Sequence, residues 1–79
     1  MGRATLATHA FSPDVLAQLE RVFDDVWTEL APRINDINRD RVSVAITGAL
    51  IALARVGQRD RDRLWAYALS QATTALAKL

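Results

Sequence analysis

The sequence predicts an all-α fold, a small three-helix bundle that associates as a dimer. Apolar residues recur at helical spacing in three segments, and no strand-like alternation competes with these periods. Capping or turn residues bound each of the three segments. The chain has 79 residues and no cysteine, so one domain without disulfides has to bury its apolar faces in a single core.

The expected organisation is a flexible N-terminal arm followed by one domain. We assign residues 1–11 to the arm and residues 12–79 to a single three-helix domain, with helices at about 13–31, 39–56 and 61–77. Ser12 is a good N-cap for the first helix, and Pro13 falls at the first helical position, where a missing N–H costs nothing. Pro32 disfavours helical geometry before it and predicts the end of this helix.

The first predicted helix is amphipathic, with one apolar stripe and a polar remainder. The stripe consists of Val15, Leu16, Leu19, Val22, Phe23, Val26, Trp27 and Leu30. In the connection that follows, several Asn and Asp residues are plausible caps or turn formers. We expect the side chains of Ile34 and Ile37 in this connection to be buried against the end of the bundle.

The second predicted helix contains "VSVAITGALIALA", thirteen residues without a charge in a chain that is 24% charged. Its expected core face is Val42, Ile46, Leu50, Leu53 and Val56, extended by Ala45, Ala49 and Ala52. Gly57 is expected to end this helix in the left-handed conformation.

The third predicted helix is capped by Asp60 and also carries one apolar stripe. That stripe consists of Leu64, Trp65, Ala68, Leu69, Ala72, Ala75, Leu76 and Leu79. Its alanines allow a neighbouring helix to approach closely.

Two large apolar residues of the second helix, Val44 and Ile51, remain outside its core face, with Thr47 and Gly48 between them. A contiguous exposed apolar strip indicates an interaction surface. We therefore expect self-association through Val44, Thr47, Gly48, Ile51 and Arg55, with Tyr67 of the third helix at the rim. The alternative is that the N-terminal arm, with Leu6 and Phe11, folds back over the strip.

No motif indicates catalysis, a metal or a cofactor, so we expect a non-enzymatic protein with no catalytic, cofactor-binding or metal-binding residues. The single histidine, His9, has no evident residue to orient it as an acid or base. Asp25 and Glu29 are one turn apart, which would suit a hard cation. Arg21 and Arg33 lie four residues from them, so ion pairing on a solvated face is the preferred explanation.

Nucleic-acid binding is the alternative function, in the form of a small helix-turn-helix-like DNA-binding regulator. Two predicted helices flank a glycine turn, as that motif requires. However, the net charge is only +1, and "RDRDR" (residues 59–63) interleaves carboxylates that would repel phosphates. Alternating signs are better explained by helix capping and a salt-bridged surface.

The apolar run is too short to cross a bilayer, and no targeting signal is evident, so we expect a cytoplasmic protein. The segment "ALIALARVGQRDRDRLWAYAL" (residues 49–69) is similar to short helical proteins of high-GC bacteria, and this resemblance implies no activity. The expected function is thus a non-catalytic interaction or assembly module that forms a homodimer or joins another protein in a larger helical complex. We expect no cofactor and no membrane partner, and a nucleic-acid partner is the less favoured alternative.

Overall fold

The structure is a computed structural model that describes residues 11–78. Three helices make up most of this range: α1 (Pro13–Leu30), α2 (Arg39–Arg55) and α3 (Arg61–Ala77). No strand occurs between residues 11 and 78, so the predicted all-α three-helix bundle is confirmed. Residues 1–10 of the predicted arm, and Leu79 of the predicted third stripe, lie outside the described residues.

The side chains of Ser12 and Asp60 cap the N-termini of α1 and α3, as predicted. The Val15 amide donates to Ser12 Oγ at 3.2 Å, and the Arg63 amide donates to Asp60 Oδ2 at 3.0 Å. Each bond satisfies an amide that has no acceptor inside its own helix. Pro13 occupies the first turn of α1, where it forfeits no helical hydrogen bond.

Gly57 ends α2 in the left-handed conformation, with φ +90°. The Gln58 amide donates to the Leu53 carbonyl at 2.9 Å, and the Gly57 amide donates to the Ala54 carbonyl at 3.1 Å. These two bonds form a Schellman motif, which requires a residue that tolerates positive φ. The prediction for Gly57 is confirmed.

Two helices, α1 and α2, end one residue earlier than predicted. The α-helical part of α1 stops at Leu30, and a 3-10 turn, Ala31–Arg33, continues it and contains Pro32. Val56 is the C-cap of α2 rather than its last helical residue. Tightening into a 3-10 turn and closing on a cap are ordinary ways to satisfy the last carbonyls of a helix.

The core is formed by all three helices, and α2 packs most extensively against α3. Its largest fully buried side chains are Ile46, Leu64, Val22, Val26 and Val42. Every described member of the two apolar stripes predicted on α1 and α3 is buried or half-buried. Ala68 and Ala72 are fully buried on α3, and their small side chains are consistent with close packing there.

The buried face of α2 differs from its prediction. Val56 is 80% exposed and Ala52 is exposed, whereas Ala54, which we did not assign to the core, is buried. The buried arc is therefore rotated around the helix toward Ala54. An uncharged run of thirteen residues is apolar on nearly all sides, so its hydrophobic pattern does not fix the edges of the buried face.

Asn38 is the only buried polar residue between residues 11 and 78, and it organises the connection between α1 and α2. Its Nδ2 donates to the Arg33 carbonyl at 2.9 Å, and its Oδ1 accepts from the Asn35 amide at 2.8 Å. Asn35 Oδ1 in turn accepts from the Ile37 amide at 2.8 Å. The turn formed by these bonds presents Ile37 to solvent at 85% exposure, so its predicted burial is wrong, while Ile34 packs against the core.

Replacing Asn38 by alanine is expected to lower the free energy of unfolding by about 1–3 kcal/mol, because the Asn35 amide and the Arg33 carbonyl lose their partner. Urea unfolding at fixed protein concentration measures this loss. Asp36→Ala is the control in the same connection, because Asp36 is exposed and only forms a surface ion pair with Arg39. Equal losses in the two variants would contradict the organising role of Asn38.

Candidate interaction surface

The outer face of α2 is open to solvent and carries one large exposed apolar side chain. Val44 is 72% exposed, and Gly48 and Arg55 are exposed on the same side of the helix. A Cβ atom added to Gly48 would meet no heavy atom within 4 Å. We call Val44, Gly48 and Arg55 the outer face; a second backbone can approach it closely at Gly48, where no side chain intervenes.

Thr47 and Ile51 were predicted to belong to this outer face, and the structure places them at its edge. Both are half-buried, and both line a groove between α1 and α2. The groove has a volume of about 360 Å³. Its lining consists of Leu16, Leu19, Glu20, Phe23 and Asp24 from α1 and Thr47, Leu50 and Ile51 from α2. We call this feature the α1–α2 groove.

An aromatic pair extends the apolar surface of α1 beside this groove. The rings of Phe23 and Trp27 stack with their centroids 5.7 Å apart and their planes inclined by 12°. Both side chains are half-buried and pack against the core, so each retains some exposed aromatic surface. Aromatic groups of this kind supply large contact areas at protein interfaces.

Two carboxylates, Glu20 and Asp24, stand at the rim of the α1–α2 groove. They lie one helical turn apart and both are exposed. Within residues 11–78 neither forms an ion pair. The groove therefore combines an apolar floor with two exposed carboxylates at its rim.

The ion pairs predicted along α1 are replaced by a pair between helices. Asp25 pairs with Arg61 of α3 instead of with Arg21, and no bridge joins Glu29 to Arg33 in the described part of the chain. The side-chain Nε2 of Gln18 also donates to the Arg59 carbonyl at 2.7 Å. These contacts join α1 to the start of α3, so that side of α1 is held against the bundle by polar interactions.

The segment "RDRDR" stabilises helix ends, as its alternating charges predicted. Asp60 caps α3, and Arg61 pairs with Asp25 and, at 3.4 Å, with Asp62. The Arg59 guanidinium donates to the Ala54 carbonyl at 2.8 Å, near the negative end of the α2 dipole. Sequence analysis missed this role of Arg59; the signal was a cation that follows a predicted helix C-terminus.

Tyr67 is the one predicted interface residue that α2 does not carry. It lies on α3 and is 41% exposed. The structure thus gathers Val44, Gly48 and Arg55 on one face and Thr47 and Ile51 at its edge. The role of Tyr67 as a rim residue stays a prediction.

Comparison with known protein families, with curated protein sequences and with solved structures finds no match for this chain. Within residues 11–78, no group of three or more His, Cys, Asp or Glu side chains is placed to hold a metal ion. None of the three helices is long and apolar enough to cross a membrane.

Proposed function

We propose that this chain is a non-catalytic assembly module that forms a homodimer through the outer face of α2. The observation that carries the proposal is the 72% exposure of Val44 on the same side of α2 as Gly48, within a helical segment of thirteen residues without charge. An apolar helix face of this kind is stabilised when a second surface removes it from water.

The spacing of the residues along α2 suits a two-fold axis. Val44 precedes Thr47 by three residues, and Ile51 follows Gly48 by three. Two antiparallel copies of α2 that cross between Thr47 and Gly48 therefore place Val44 of one copy against Ile51 of the other, twice. Self-complementary pairing of this type is what an isologous dimer requires.

The dimer proposed here is of moderate strength. Burying a Val or Ile side chain fully contributes about 1.5–3 kcal/mol, and Ile51 is already half-buried. Four such side chains contribute less than about 12 kcal/mol, whereas association costs about 4–15 kcal/mol in lost freedom. We therefore expect the dimer to dissociate on dilution.

Arginine charges oppose this arrangement, so the strength of self-association depends on the salt concentration. Arg41 and Arg55 lie at similar distances on either side of the axis between Thr47 and Gly48, so Arg41 of one copy comes near Arg55 of the other. Like charges at a surface repel, and salt screens that repulsion. Self-association is therefore expected to strengthen between low and moderate salt, whereas binding to DNA weakens steeply with salt.

Val44→Lys is expected to yield a folded monomer, because the lysine introduces a charge into the apolar contact with Ile51 of the other copy. Light scattering gives the mass, and circular dichroism confirms that the helices are retained. Val56→Lys is the matched control, since Val56 is also an exposed valine, at 80%, but lies outside the outer face. The proposal fails if Val44→Lys keeps the mass of the unmodified protein, or if both variants lose it equally.

The alternative, a small helix-turn-helix-like DNA-binding regulator, receives less support. The first turn of α3 would have to approach DNA, and it carries the exposed carboxylate of Asp62. Arg61 in the same turn is engaged by Asp25 and Asp62. Salt-dependent binding to bulk duplex DNA would favour this alternative over an assembly module.

A further inference from the structure

We infer that the second copy lies on the outer face of α2 in one antiparallel register, in which Asp40 of each copy forms an ion pair with Arg55 of the other. This inference rests on the proposed dimer and adds the charged contacts that select the orientation of the partner. The apolar contact between Val44 and Ile51 cannot select it alone, because hydrophobic attraction has no direction.

Asp40 and Arg55 stand at equal distances from the proposed two-fold axis. The axis crosses α2 between Thr47 and Gly48; Asp40 precedes this point by seven and a half residues, and Arg55 follows it by the same number. At 1.5 Å per residue, each lies about 11 Å along the helix from the axis. An antiparallel copy therefore brings Asp40 of one chain level with Arg55 of the other, once at each end of the contact.

Both side chains lie on the side of α2 from which the second copy approaches. At about 100° per residue, Arg55 is about 20° and Asp40 about 80° from Gly48, in the same direction around the helix. Both residues are exposed, and neither forms an ion pair between residues 11 and 78. A charge on the second copy can thus reach each of them without displacing an ion pair described here.

The signs of these charges favour an antiparallel copy over a parallel one. Asp40 lies in the first turn of α2 and Arg55 in the last. A parallel copy would set Asp40 against Asp40 and Arg55 against Arg55, and like charges repel. An antiparallel copy pairs opposite charges and also sets the positive end of one helix dipole beside the negative end of the other. The outer face is therefore complementary to its own copy in this orientation.

Arg41 opposes these ion pairs without blocking them. Asp40 and Arg41 lie about 100° apart around α2, and the direction of Arg55 falls between them. The long side chain of Arg55 from the other copy can therefore turn toward the carboxylate of Asp40 and away from Arg41. The ion pairs offset part of the arginine repulsion, which remains the reason that salt strengthens the dimer.

Replacing Asp40 by asparagine is expected to raise the dissociation constant of the dimer about two- to thirtyfold, as for the loss of two exposed ion pairs. The repulsion between Arg41 and Arg55 then acts alone, so self-association is expected to rise more steeply with salt than in the unmodified chain. Light scattering across a dilution series at low and moderate salt measures both effects. A dissociation constant and a salt dependence that both stay unchanged would contradict the inference.

Exchanging the two charges between chains gives the sharpest test. Every chain compared carries Arg41→Gln, so that only Asp40 and Arg55 determine the charge of the contact. Asp40→Arg alone sets two positive charges against each other, and Arg55→Asp alone sets two negative charges against each other. Each variant alone is expected to dimerise about tenfold more weakly or worse, whereas an equimolar mixture pairs opposite charges at both ends and restores a mass near twice 8.7 kDa.

Asp62→Arg is the matched control in the same chains. Asp62 holds the second position of α3, as Asp40 does of α2, and it is exposed outside the outer face. The control thus loses the same favourable charge near a helix N-terminus and is expected to keep the mass of the chain with Arg41→Gln alone. Circular dichroism checks that every variant retains its helices.

A mixture that stays monomeric would overturn the inference, as would single variants that dimerise as well as the chain with Arg41→Gln alone. Both results leave the dimer itself in place. If the chain with Arg41→Gln and the unmodified chain are monomeric at every concentration, the proposed dimer is refuted and the inference with it. Failure of the dimer and failure of its charged contacts are therefore distinguishable.

Discussion

Replacing Leu64 by alanine is expected to lower the free energy of unfolding by about 3–5 kcal/mol and Tm by about 15 °C or more. Leu64 is fully buried, and it lies in the first turns of α3. Its truncation leaves a cavity among side chains held by all three helices. A 79-residue domain has a total stability of roughly 4–12 kcal/mol, so the loss removes a large part of it.

Urea unfolding measures this loss, at one protein concentration because a dimer makes stability depend on concentration. Leu69→Ala is the matched control on the same helix, since Leu69 is only half-buried and leaves a smaller cavity. We expect Leu69→Ala to cost about half as much or less. A loss below about 1 kcal/mol for Leu64→Ala would contradict the packing described for the core.

Replacing Ala68 by phenylalanine is expected to destabilise the protein by about 3 kcal/mol or more, because the ring has no space in the core. Ala68 is fully buried on α3, whose most extensive packing is against α2. The larger side chain forces the helices apart or adopts a strained rotamer. Thermal unfolding followed by circular dichroism measures the effect.

Ala66→Phe is the control for this second variant, because Ala66 lies two residues away on the exposed side of α3. It adds the same side chain and changes helix propensity by the same amount. We expect its effect to remain within about 0.5 kcal/mol. A similar loss in both variants would mean that the phenylalanine acts through propensity, and that close packing at Ala68 is not what limits side-chain size.

The three helices could be predicted because their ends depend on local chemistry. Ser12 and Asp60 accept hydrogen bonds from amides three residues ahead, and Gly57 adopts a positive φ within its own turn. The apolar stripe of α1 is bordered mainly by charged residues, and that of α3 mainly by uncharged polar residues, which makes their buried faces evident. Signals of this kind lie within a few residues and need no knowledge of the rest of the fold.

The connection between α1 and α2 could be predicted only as a turn. Whether Ile37 or Asn38 enters the protein depends on the hydrogen bonds that Asn38 makes with Arg33 and Asn35. An apolar residue is by itself the better candidate for burial, which is why Ile37 was assigned inward. The satisfied amide of Asn38 makes the opposite arrangement favourable.

The part of the candidate surface that lies on α2 alone could be predicted from the sequence, whereas the groove between α1 and α2 could not. Val44 and Gly48 lie opposite the core on any helical wheel of α2, and both are exposed in the structure. The groove beside them depends on how α1 packs against α2, which periodicity does not specify. Ile51 and Thr47 line the groove because they lie at the edge of α2 that faces Leu16 and Phe23.

The mass of the purified protein by light scattering, across about a hundredfold dilution, tests the proposed self-association most directly. We expect a mass near twice the 8.7 kDa of one chain at high concentration, and a decrease toward 8.7 kDa on dilution. The same series at higher salt is expected to retain the larger mass to lower concentration. A mass of 8.7 kDa at every concentration and salt would contradict the account.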